Sequence, residues 1–141
     1  MTAAGRPADV LVIFGITGDL AKKMTFRSLY RMERRRLIDC PIVGVALDDW
    51  SPQQLRDHAR TSIEATGEPI DDEVFARFAA RLSMVSGDFA DPATYQDVAA
   101  AIAGRTSPVF YLEIPPALFE RVVDGLEDVA NEVSAIVIEH V

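Results

Sequence analysis

The chain has 141 residues, 49 % of them apolar and 26 % charged, the make-up of one globular domain long enough to bury a core. A net charge of −8 with no basic stripe to offset it excludes a nucleic-acid backbone as partner. No apolar run approaches the roughly 18 residues of a membrane span, nothing near the N-terminus has signal-peptide order, and the single cysteine, Cys40, forbids an intramolecular disulfide and fits a reducing cytoplasm.

Residues 1–8 read as a flexible tail. The run Val10 to Phe14 is apolar throughout and predicts a buried strand over 9–14, broken at once by Gly15-Ile16-Thr17-Gly18. A helix then opens at Asp19 and is expected to run over 19–38. A strand, a tight glycine turn and a helix start are what a nucleotide diphosphate needs. The glycines let backbone approach the ligand, and the free N–H groups of the first helical turn point at the anion. Thr17 adds a hydroxyl within reach of a phosphate, Asp19 can cap the helix, and Ala21 replaces a third glycine as a residue small enough for close helix–sheet packing. Within the helix, Leu20, Met24, Leu29, Met32 and Leu37 are expected to form the inward stripe. Arg34-Arg35-Arg36 falls near its end, where positive charge favours the negative helix terminus.

A second strand over 42–47 ends in Ala46-Leu47-Asp48-Asp49. This position decides between coenzymes: a carboxylate accepts from a ribose 2′-hydroxyl, whereas an arginine pairs with a 2′-phosphate. With two carboxylates and no arginine, the residues by themselves lean toward NAD, although Asp49 serves equally as an exposed residue before the next helix. Ser51-Pro52, Asp71-Asp72 and Asp91-Pro92 are helix openings, giving helices over 51–66, 71–81 and 91–103 around a third strand over 82–86. Gly87-Asp88 closes that strand, either beside an adenine ring or as a plain turn. His58, in a charged helix, is expected to be solvated. A fourth strand over 108–114 ends in Pro115-Pro116. This diproline stiffens the turn, with a cis bond as one way of building it, and offers either a rigid pocket rim or plain helix initiation. Phe119 follows on a helix over 116–130, as a pocket wall or as core, before a last strand over 134–139.

This alternation predicts a single α/β domain: a Rossmann-like, doubly wound parallel sheet of five strands in the order 3-2-1-4-5. That order sets the carboxyl ends of strands one and four side by side, so the glycine turn and the diproline turn should share one crevice. The candidate coenzyme-binding residues are Gly15, Ile16, Thr17, Gly18, Asp19, Leu20, Ala46, Leu47, Asp48, Pro115 and Phe119. No metal-ligand spacing and no nucleophile–histidine pairing is present in the sequence. A dinucleotide fold usually continues into a sixth strand and a substrate domain. Here the last strand runs into His140 and Val141, so the expectation is a dinucleotide-binding domain over 9–141 without its substrate half.

The segments VIFGITGDLAKK, VGVA, GDFADPATY and FYLEIPPALF, in that order, resemble the N-terminal coenzyme domain of glucose-6-phosphate dehydrogenases. The resemblance implies oxidation of glucose 6-phosphate to its lactone with NADP, the entry step of the pentose phosphate pathway. It implies a diphosphate turn at Gly15, Thr17, Gly18, Asp19 and Leu20, a nicotinamide-side turn at Pro115, and an aromatic coenzyme wall at Phe119. Glu139 aligns with the glutamate of the family's E-K-P-F-G motif. Three departures stand out: Leu47 replaces an arginine that meets the NADP phosphate, Met24 replaces a lysine near the substrate, and His140 replaces the substrate-binding lysine. The family's catalytic histidine has no counterpart, and the chain by itself is expected to be inactive. Two other expectations compete. One is a non-catalytic interaction module that self-associates through apolar surface left uncovered. The other is an NmrA-like redox sensor, against which the Y-L-x-x-P-P turn argues.

Overall fold

The computed structural model describes residues 7–129 and 135–139. Five parallel strands, β1 (Val10–Phe14), β2 (Ile42–Ala46), β3 (Leu82–Ser86), β4 (Pro108–Glu113) and β5 (Ala135–Glu139), form one sheet in the order β3-β2-β1-β4-β5. This is the expected doubly wound order. The glycine turn and the diproline turn lie on neighbouring strands, since Phe14 pairs with Leu112 at the carboxyl ends of β1 and β4. Helices α1 (Phe26–Arg34), α2 (Pro52–Ala65) and α3 (Asp72–Ala80) cover one face, and α4 (Pro92–Ala101) and α5 (Phe119–Val129) the other. β1 alternates between the two cores: Leu11 and Ile13 face α1, while Val10, Val12 and Phe14 face α4 and α5. Its five residues are all buried, which is why the strand reads as an unbroken apolar run.

The expected helix openings are present. Ser51 forms a reciprocal capping box with Gln54, Asp71 accepts from the backbone of Glu73 and Val74, and Asp91 accepts from that of Ala93. The first helix departs from expectation in register and in length. A π-helical turn, Ala21–Thr25, precedes α1, with the Phe26 N–H donating to the Ala21 carbonyl. That turn holds one residue more than an α-turn and rotates the remainder of the helix, so Ala21, Phe26, Leu29, Tyr30 and Glu33 are the buried positions. Of the expected inward stripe, only Leu29 is buried. Leu20 is half-buried, and Met24, Met32 and Leu37 are exposed at 59 %, 37 % and 60 %. The helix stops at Arg34 rather than residue 38 because Arg36 takes a left-handed conformation (φ 57°). The amides of Arg36 and Leu37 then donate to the Glu33 and Met32 carbonyls, at 3.0 and 2.9 Å, closing a Schellman end. Arg34 does not serve the helix terminus alone. With Arg27 and Arg31 it pairs with the buried Glu68 carboxylate, and buried Glu33 ties α1 to Arg77 in α3 and to Arg81 just after it.

Candidate functional site

The corner after β1 is built by short-range backbone constraints. Gly15 sits at φ +88°, its N–H donates to the Val45 carbonyl at 2.8 Å, and a Cβ there would lie 2.2 Å from the Glu113 carbonyl oxygen. Only glycine fits between the ends of β2 and β4. The Gly18 N–H donates to the Gly15 carbonyl at 2.9 Å, which closes the turn, and the Lys22 N–H donates to the Gly18 carbonyl at 3.1 Å, which starts the helix. Ile16 buries its side chain beneath the turn against Gly44, where an added Cβ would meet it at 2.7 Å, so it can offer a ligand only its backbone. Gly18 and Asp19 are exposed, and no side-chain hydrogen bond caps the π-turn that follows. The helix begins at Asp19, so the amides of its first turn have no acceptor within the helix. Exposed Lys22 and Lys23 follow directly. An anion at this corner would meet aligned N–H dipoles and positive charge.

At the end of β2, buried Ala46 accepts from the Gly87 N–H at 2.9 Å, and Leu47 projects into solvent, 71 % exposed. Asp48 is fixed from two sides. Its carboxylate accepts from the Thr17 hydroxyl at 2.8 Å, and its carbonyl accepts from the Ser86 hydroxyl at 2.8 Å. Leu47 and Gly87-Asp88 line a cavity of about 250 Å³ together with Leu118 and Arg121. Those last two come from across the sheet, have no local signal in the sequence and stand outside the expected set. His58 is half-buried rather than fully solvated: its ring packs edge-on to Trp50 and Phe26, and its Nε2 is buried without a hydrogen-bond partner. Burial, and then the charge of Lys22, lower its pKa below the ordinary 6.5, against a smaller opposing pull from Asp48.

At the end of β4, Glu113 is buried on the α1 side and its carboxylate accepts from the Thr25 hydroxyl. Met24, Leu20 and Tyr111 surround it in a second cavity of about 190 Å³ that continues along the exposed flank of α1. The diproline turn holds only trans peptide bonds, and its stiffness comes from fixed proline φ and from the Leu118 N–H donating to the Pro115 carbonyl at 2.9 Å. Pro115 is exposed at the crevice, whereas Phe119 is half-buried against the α4–α5 core. The glycine corner is thus central, the Asp48 lip lies on one side and the Glu113 cavity on the other. Such a mouth can hold an extended two-part ligand by its middle. Among the described residues no three potential ligands gather for a metal, and no helix is long and apolar enough to cross a membrane. Glu139 lies opposite Glu113 in the sheet register, and His140 falls outside the described residues.

The family described as "Glucose-6-phosphate dehydrogenase, NAD binding domain" matches residues 12–140. The chain belongs to the glucose-6-phosphate dehydrogenase family. It corresponds to that family's N-terminal coenzyme-binding domain, and nicotinamide dinucleotide is the coenzyme class. Glucose-6-phosphate 1-dehydrogenase 1 of Mycobacterium tuberculosis is 56 % identical over 125 residues, covering 89 % of this chain and 27 % of the relative. The Bacillus subtilis enzyme is 30 % identical over 86 % of the chain and 26 % of its own length. The crystal structure of glucose-6-phosphate 1-dehydrogenase from Mycobacterium avium superposes with a TM-score of 0.91 at 51 % identity, covering 95 % of this chain and 30 % of that one. The chain therefore spans little more than a quarter of the curated relatives it matches. A short-chain dehydrogenase/reductase from Veillonella parvula, with a TM-score of 0.53 at 15 % identity, shares the fold alone.

Proposed function

We propose that the chain is the coenzyme-holding part of a glucose-6-phosphate dehydrogenase, binding NADP or NAD across the mouth of its sheet. The observation that carries this is the glycine corner, whose unpaired first-turn amides open beside the end of β4 in a chain of this family. The coenzyme diphosphate would rest on the corner from Ile16 to Leu20, chiefly on the amides of Asp19 and Leu20, since the Gly18 amide closes the turn onto Gly15, with Thr17 at its edge. The adenosine half would lie toward Ala46, Leu47 and Asp48, and the nicotinamide half toward Pro115, with Phe119 backing the rim. The reaction would be hydride removal from C1 of glucose 6-phosphate to give the lactone, in the cytoplasm, where the buried thiol of Cys40 stays reduced.

Hydride removal from a sugar hydroxyl needs a base within about 3 Å of the departing proton. His58, wedged between Phe26 and Trp50, is not placed for that role. The 9–141 segment would thus bind coenzyme without turning over sugar by itself. Calorimetric titration with each coenzyme tests the binding. Saturable heat with at least one is expected, and none with either would defeat the proposal. Lactone formation by the purified chain would defeat the claim of inactivity. A second reading rests on the exposed Met24, Met32 and Leu37: copies of the chain associate through this flank of α1. Light scattering that shows a monomer across a wide concentration range would remove it.

A further inference from the structure

We infer that the lip after β2 selects NAD over NADP, with the Asp48 carboxylate taking the 2′-hydroxyl of the adenosine ribose. The inference deepens the coenzyme reading above and rests on it. Asp48 Oδ1 already accepts from Thr17, the hydroxyl of the diphosphate corner, at 2.8 Å. Across 31 positions of sequence, that bond turns the carboxylate toward the place where a dinucleotide passes from diphosphate to ribose. A carboxylate only accepts, so Oδ2 has capacity left for a ribose hydroxyl. The lip cannot easily swing away. The Ser86 hydroxyl holds the Asp48 carbonyl at 2.8 Å, and the Gly87 N–H holds the Ala46 carbonyl at 2.9 Å.

A 2′-phosphate would bring about −1.5 to −2 charges against this fixed anion. Nothing at the lip compensates. Leu47 offers neither charge nor donor, and the Thr17 hydroxyl is engaged by the carboxylate itself. Two cations stand nearby, and in this arrangement both would serve parts that NAD and NADP share. Lys22 follows the diphosphate corner. Arg121 lines the cavity with Leu47 and Asp88, where a guanidinium can stack on a purine. Neither forms an ion pair with Asp48 among the described residues.

Titration of the chain with NAD and with NADP separates the cases, with circular dichroism confirming that each variant is folded. The wild type is expected to bind NAD at least about tenfold more tightly, the scale of one charge-assisted hydrogen bond made to NAD and a repulsion met by NADP. Asp48→Asn should cut that ratio at least about fivefold, and Leu47→Arg with Asp48→Ser should reverse it. Equal or tighter binding of NADP by the wild type, or a ratio unmoved by Asp48→Asn, overturns the inference and leaves the dinucleotide site standing. Binding of neither coenzyme removes both.

Discussion

The two sides of the mouth are finished differently. On the Asp48 side, short polar groups tie three separate loops together: Thr17 to Asp48, Ser86 to Asp48, and Gly87 to Ala46. On the Glu113 side, the contact with Thr25 sits in a cavity whose outer wall is Met24 and whose continuation along α1 exposes Met32 and Leu37. Backbone amides and small side chains can complete a contact to a diphosphate and a ribose within one domain. The flank of α1 instead exposes apolar side chains, Met24, Met32 and Leu37, that cannot make such contacts. Under the proposed coenzyme reading, the Asp48 side would hold the non-reacting adenosine half of the ligand.

The sharpest way to break the comparison is at the hinge common to both sides. Gly15→Ala would place a methyl 2.2 Å from the Glu113 carbonyl oxygen at a φ of +88°, a conformation that L side chains rarely adopt. It should lower stability by about 3 kcal/mol or more in urea unfolding and abolish binding of either coenzyme. Full affinity in a folded Gly15→Ala chain would mean that the corner is not the seat of the ligand. Glu33→Ala tests the anchoring of α1 behind the mouth. Its carboxylate, 2 % exposed, meets Arg81 at 2.6 Å and Arg77 at 3.4 Å. Its removal should cost about 2 kcal/mol, below the usual cost of a broken buried pair because both arginines can turn to solvent. Coenzyme affinity should survive wherever the variant remains folded.

His58 offers a pH test of the packing behind the Asp48 lip. Its folded-state pKa lies below 6.5, so the unfolded chain takes up the proton first as pH falls. Stability from this group is complete above that value and declines as pH drops through it toward the folded pKa. Thermal melts should show a fall from neutral pH into the acid range that His58→Phe reduces. An unchanged slope would mean that the imidazole titrates as freely as in solution. The smallest expected effect is at the open flank. Met24→Glu with Leu37→Glu should change stability by less than about 0.5 kcal/mol and leave coenzyme affinity intact, while abolishing any concentration-dependent association. Association that persists unchanged would move the interface elsewhere.

The sheet order, the three side-chain caps and the meeting of the glycine and diproline turns are legible in the sequence because each rests on local chemistry: apolar runs, capping residues, and prolines and glycines at strand ends. The face of α1 is not. A π-turn has no residue signature, and its extra residue carries Met24 and Met32 out of the expected stripe while bringing Phe26 and Tyr30 in. The helix end is hidden because Arg36, not glycine, takes the left-handed position. The Thr17–Asp48 bond and the placing of Leu118 and Arg121 beside Leu47 join distant segments, so no window of sequence could display them. The charged neighbours of His58 mislead about its burial, since its surroundings come from Phe26 on another element and from Trp50 ahead of its own helix.

Backbone amide resonances followed during titration with NAD give the most direct reading of where the ligand sits. Saturable shifts centred on Ile16, Thr17, Gly18, Asp19 and Leu20, with secondary shifts at Asp48 and Asp88, are the predicted result, while Thr106 and Ser107 at the far end of the sheet stay still. Shifts confined to the exposed flank of α1, or spread evenly with no focus on the glycine corner, would contradict the account.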